Sequence, residues 1–94
     1  MDKIDFKKIT PILKNSGVKS AGVFGSYIKG KKRSNDIDIL VEFQEPLGLL
    51  GMVRLENTLS QKLNIPVDLV TKKSLSPYIR DQILNETQIF YEQR

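Results

Sequence analysis

The 94-residue chain contains no cysteine and no histidine. The first absence excludes disulfides, zinc–thiolate sites and a cysteine nucleophile. The second excludes imidazole general acid–base catalysis, a serine–histidine triad and every histidine-ligated metal. Long apolar runs are missing too. None approaches the roughly 20 residues that span a bilayer, and the opening "MDKIDFKKIT" mixes acids and bases instead of carrying a signal-peptide core. The expectations are no membrane segment and a cytoplasmic location, which the lack of cysteine suits. There are no repeats, low-complexity tracts or linkers, so residues 1–94 are expected to form one domain. Chemistry in this chain must run on carboxylates, hydroxyls, Lys/Arg and backbone amides. The net charge of +4 suits an anionic partner but equally suits a basic domain with none.

What is present alternates. Ile4, Ile9, Ile12 and Leu13 fall at helical spacing, with Pro11 expected to kink or restart the helix, Thr10 as its N-cap and Gly17 as its stop. "VKSAGVF" (18–24) reads as a strand running into Gly25-Ser26, where a short helix to about Lys29 begins; "GKKRSN" reads as a polar loop and 36–43 as a second strand. Leucines 47, 50, 55, 59 and 63 mark an amphipathic helix over about 47–63, followed by a strand at 65–70. Ser76 and Pro77 form the N-cap and N1 of a last helix, and "QIFYE" is a candidate closing strand. Alternating elements imply an α/β fold, a sheet covered by helices.

The chemistry-bearing residues gather at the strand ends. In "DIDILVEF" Ile37, Ile39, Val41 and Phe43 point one way, and Asp36, Asp38, Leu40 and Glu42 the other. Same-face neighbours lie about 7 Å apart, so two aspartates there repel each other, and aspartate is poor strand material. A divalent cation would compensate, Mg²⁺ above all, bound singly or as a pair; the plainer reading is two surface aspartates on a half-exposed strand. Gly25-Ser26, where a strand meets a helix, suits phosphate binding by backbone amides, although on its own it reads first as an ordinary turn. Lys29, Lys31, Lys32 and Arg33 follow, with Arg33 the best placed for a phosphate. Asp68, between Val67 and Leu69, is costly inside an apolar strand unless paired, coordinated or exposed at an edge.

Gly-Ser, nine residues, then Asp-Ile-Asp resembles the signature of the DNA polymerase β-like nucleotidyltransferases. "AGVFGSYIKGKKRSNDIDILVEF" together with "LLGMVRLENTLSQKLNIPVDLVTKKSLSPYIRDQIL" is similar to the minimal nucleotidyltransferases, or MNT proteins. The resemblance covers about residues 17–92. It implies a mixed β-sheet flanked by helices. It implies that Gly25 and Ser26 bind the nucleotide's phosphates, to which the basic loop adds Arg33 as a nucleotide contact, and that Asp36, Asp38 and Asp68 bind Mg²⁺, two ions being expected, with Asp68 also helping to deprotonate the acceptor. Asn35 stands where family members often carry Asp after Ser; asparagine makes the same turn. The implied activity is transfer of NMP, expected to be AMP from ATP, to a protein hydroxyl. The implied setting is a toxin–antitoxin pair, in which the nucleotidyltransferase is antitoxin to a separate HEPN-family protein. The alternative is an antitoxin that neutralises a HEPN partner by contact alone, with vestigial nucleotide binding. Direct nucleic-acid binding is the weakest reading, because the aromatics are not interleaved with the basic loop.

Overall fold

The computed structural model describes residues 4–25 and 36–93. A 3₁₀ turn at Phe6–Lys8 leads into α1 (Thr10–Asn15), β1 (Val18–Phe24), β2 (Ile37–Phe43), α2 (Gly48–Leu63), β3 (Val67–Thr71), a second 3₁₀ turn at Lys72–Ser74, α3 (Pro77–Glu86) and β4 (Gln88–Glu92). The strands form one mixed sheet in the order β3-β2-β1-β4. β1 is antiparallel to both β2 and β4, whereas β2 and β3 run parallel, with α2 as the crossover. The expected α/β architecture is present, and the closing strand forms as the sheet's outer edge beside β1. The short helix expected after Gly25 and the basic loop before Asn35 lie outside the described residues.

The local signals act largely as read. Gly17 takes a left-handed backbone, φ +77°, and stops α1. Ser76 caps α3 by accepting the Tyr78 N–H at 3.3 Å, with Pro77 in the first turn. Thr10 is a correction: Ile9 occupies the N-cap position and the Thr10 hydroxyl donates instead to the Phe6 carbonyl at 3.1 Å. A side-chain N-cap needs extended backbone, and the preceding 3₁₀ turn has already brought Ile9 into the helical region.

The two sheet faces have different fates. Ile37, Ile39 and Val41 of β2 are buried with Ala21, Val23, Val67 and Leu69 beneath Leu13 of α1 and Leu55 and Leu59 of α2. This is the apolar face that the alternation marked. On the opposite face a smaller cluster of Phe24, Leu40 and Leu75, backed by Val70 and Ile83 of α3, covers the middle of the sheet. Leu40 therefore has cover, and the neighbouring Asp38 end of β2 remains only half-buried. At the far end of that face Glu42 is paired with Lys72 at 3.4 Å.

Gly22 is the tightest point of the sheet. A Cβ there would collide with the Thr87 methyl and come within 3.0 Å of the Gln88 carbonyl oxygen and of Ile89. Thr87 is β-branched and its hydroxyl is tied to the Ile83 carbonyl at 2.6 Å, so it cannot easily turn away. Gly22→Ala should lower stability by about 1–3 kcal/mol. Denaturant unfolding checks this, and an unchanged midpoint would mean that β4 yields without cost.

Candidate active site

The site is assembled by strand register. The parallel pairing sets Asp38 of β2 directly beside Asp68 of β3, and the antiparallel pairing sets Phe24 of β1 opposite Asp38. Directly paired residues share a face, so both carboxylates stand on the side away from the main core, with neighbouring strands about 4.8 Å apart. Asp36 lies one residue before β2 and is exposed; Asp68 is exposed and Asp38 half-buried. Asp68 thus answers both readings of the sequence at once: it is on an edge strand, and it faces another carboxylate.

Gly25 follows Phe24 with φ +79°, and a Cβ there would lie 2.8 Å from Asp38 Oδ2. Two constraints coincide at this residue. The backbone conformation disfavours any side chain, and the space a side chain would take is already held by the Asp38 carboxylate. Peptide and carboxylate are consequently adjacent, as a site needs if it is to grip an anionic ligand and its counter-cation together. Beside Gly25, Phe24 and the α3 residues Ile79, Gln82, Ile83 and Glu86 line a shallow cavity of about 250 Å³.

The electrostatics agree with the geometry. Burial, and then the Asp68 and Asp36 carboxylates, push the Asp38 carboxyl above the usual aspartate range. Asp38 with these two neighbours makes a concentration of carboxylate oxygens at this end of the sheet. Their donors are hard oxygens, which suit Mg²⁺ better than any soft metal. Among the described residues no three acidic side chains form a ready-made metal cage.

Of the residues singled out in the sequence, Gly25, Asp36, Asp38 and Asp68 are brought to one end of the sheet. Ser26 and Arg33 lie outside the described residues. Phe24 was not singled out; its place opposite Asp38 depends on the β1–β2 register, which no local pattern carries. The same applies to the α3 side of the cavity, since α3 is more than fifty residues from Gly25 in the chain.

The comparisons with known proteins point the same way. The family model described as "Polymerase beta, Nucleotidyltransferase" matches residues 7–94. A Methanocaldococcus jannaschii protein with the provisional name protein adenylyltransferase is 49% identical over 81 residues, covering 85% of this chain and 87% of the relative. A chain from the crystal structure of a toxin–antitoxin with AMP-PNP superposes with a TM-score of 0.81 at 26% identity, covering 97% of this chain and 76% of its own. A chain from a structure of tri-AMPylated Shewanella oneidensis HEPN toxin in complex with MNT antitoxin gives a TM-score of 0.72 at 26% identity, covering 93% and 69%.

Asp38 gives a pH-dependent prediction. Its carboxyl holds its proton more tightly in the fold than in the unfolded chain, so ionising it opposes folding. That penalty is absent below the unfolded pKa and complete above the raised folded one. Asp38→Asn should therefore raise the Tm of the metal-free protein modestly at pH 7, and the gain should vanish as the pH falls below the ordinary aspartate range. Thermal melts across pH 3–7 test this, and a gain that persists at the acid end would contradict the assignment.

Proposed function

The chain belongs to the polymerase beta nucleotidyltransferase family, and we propose that it is a protein adenylyltransferase that moves AMP from ATP to a hydroxyl of a HEPN-family partner, serving as the antitoxin of the pair. The single observation that carries the chemistry is the Gly25–Asp38–Asp68 juxtaposition, a bare peptide against one carboxylate and a second carboxylate directly beside it. The choice of AMP and of a HEPN partner rests on the names of the relatives. Asp36, Asp38 and Asp68 would hold Mg²⁺, which when bound supplies charge neutralisation for the triphosphate and for the developing transition state.

The chain's own groups then have distinct tasks. The Gly25 peptide, with Ser26 and Arg33 as further proposed contacts, holds the phosphates where no side chain blocks approach. The acceptor oxygen attacks the α-phosphorus; the new O–Pα bond forms as the bond from Pα to the bridging oxygen breaks, and pyrophosphate leaves. The Asp68 carboxylate, exposed on the edge strand, receives the acceptor's proton. Asp38 is half-buried and lies against the Gly25 peptide, so its carboxylate is assigned to the cation and not to the acceptor's proton. The reaction is placed in the cytoplasm, where ATP is plentiful and a cysteine-free chain loses nothing.

Positioning an attacking group supplies up to roughly 7–11 kcal/mol of a barrier in ideal cases. Among the described residues the exposed Asp36 and Asp68 carboxylates have no wall beside them to position an acceptor, so turnover on water or free alcohols should be slight. With α-labelled ATP, Mg²⁺ and a HEPN-family protein from the same organism together, label should pass to that protein, and with any component missing it should not. Asp68→Asn should slow labelling by about 10²–10⁴-fold, the usual worth of a positioned acid–base group. A partner that is bound and neutralised by Asp68→Asn without ever taking label would establish the contact-only antitoxin instead.

In the same assay Gly25→Ala should cut the rate by about 10²-fold through displacement of Asp38, the cost of misplacement by about 1 Å. It should also cost about 1–2 kcal/mol of stability for the left-handed backbone. A wild-type rate in a folded Gly25→Ala protein would remove this turn from the site.

A further inference from the structure

β3 is an edge strand, and edge strands fray unless something holds them. Here the exposed edge is held at two points. The Leu69 N–H donates to Glu56 Oε2 at 2.8 Å, and the Val67 N–H donates to Ser60 Oγ at 2.9 Å. Both acceptors come from α2, and both amides belong to the residues that flank Asp68.

The arrangement follows from two periodicities. Glu56 and Ser60 are four residues apart, on one side of the helix and about 6 Å apart along its axis. Val67 and Leu69 are two residues apart in the strand, about 6.6 Å. The two spacings match, so a helix running antiparallel to β3 satisfies successive outward-facing amides with successive turns. The neighbouring side chains fix the helix in place: Leu55 and Leu59 are buried in the main core along with Val67 and Leu69. Alternation turns the Asp68 amide the other way, toward β2, and the Ile37 N–H donates to the Pro66 carbonyl at 2.9 Å. Asp68 is thus carried on a short segment bonded to β2 on one side and to α2 on the other.

We propose that Glu56 and Ser60 are positioning residues for the nucleotidyl transfer, fixing the height and register of the Asp68 carboxylate relative to Asp38 through the Leu69 and Val67 amides. The proposal rests on the adenylyltransferase reading for its catalytic consequence, but not for the structural one. Neither residue touches substrate. What the reaction requires of them is an acceptor oxygen at each amide, not a charge, so an amide side chain serves in place of the Glu56 carboxylate.

The test compares Glu56→Ala, Glu56→Gln and Ser60→Ala, each first shown to be folded by circular dichroism and thermal melting. At saturating Mg²⁺, Glu56→Ala should lower kcat for partner labelling about tenfold while leaving KM for ATP within about twofold, since the proposed ATP contacts at Gly25 are untouched. Glu56→Gln should restore kcat to within about twofold of wild type, because its Oε1 still accepts the Leu69 N–H. Ser60→Ala should lie between them. Independently of activity, amide exchange at Leu69 should quicken about tenfold in Glu56→Ala while core amides of β2 keep their rates. Mn²⁺ should bind several-fold more weakly to the same variant, measured by titration of its paramagnetic signal. Unchanged Leu69 exchange in Glu56→Ala, a loss that Glu56→Gln fails to repair, or a loss shared equally by every amide would each overturn the proposal. If wild type labels no partner, the adenylyltransferase reading fails, while the exchange and Mn²⁺ measurements still decide whether the clamp exists.

Discussion

The parallel pairing of β2 with β3 is the constraint on which the site depends. It puts Asp38 and Asp68 side by side, an arrangement that costs electrostatic energy and that no isolated strand would choose. Hydrophobic burial on the other face enforces it. Ile37, Ile39, Val67 and Leu69 can all enter the core only in a register that leaves the intervening aspartates on the opposite side. A slip of one residue would bury the carboxylates and expose the isoleucines, at a cost far larger than the repulsion it relieved.

The same logic explains why the sheet's second face is only partly covered. α3, with Leu75 leading into it, seats over Phe24, Leu40 and Val70, the apolar positions available there. Among the described residues Asp36 and Asp68 stay exposed beyond that apolar cluster, and Asp38 beside Phe24 is half-buried. Stability and chemistry are thereby divided along single strands. In β2, odd-numbered positions hold the fold together, while Asp38 carries the charge that destabilises the metal-free protein and Leu40 anchors α3. Burial first, and then like-charge repulsion, raises the proton affinity of Asp38, and the repulsive part predisposes its hard-oxygen donors toward a cation.

Gly25 shows how close backbone and carboxylate have to be. The residue is glycine for its positive φ, but also because Asp38 Oδ2 occupies the volume of a side chain. The interval that separates Gly25 from Asp38 in the sequence is, in three dimensions, a single contact between the end of one strand and the second residue of the next.

Much of this was legible in the sequence. The alternation of "DIDILVEF" gave the buried and polar faces of β2, Ser76-Pro77 gave the start of α3, and Gly17 gave the end of α1, because each depends on a period or a cap written within a few residues. The Thr10 cap was misread for the same local reason: the turn before it, not the residue itself, decides the backbone there. What the sequence by itself determined was therefore which residues are apolar, charged or permissive, and in what period. Tertiary structure alone decided that Asp68 meets Asp38, that Phe24 lies opposite it, that Gly22 must stay bare against Thr87, and that Glu56 and Ser60 reach the amides flanking Asp68. Those relations join residues 7 to about 65 positions apart, and they come from strand register and helix seating, which only the packing of the whole core selects.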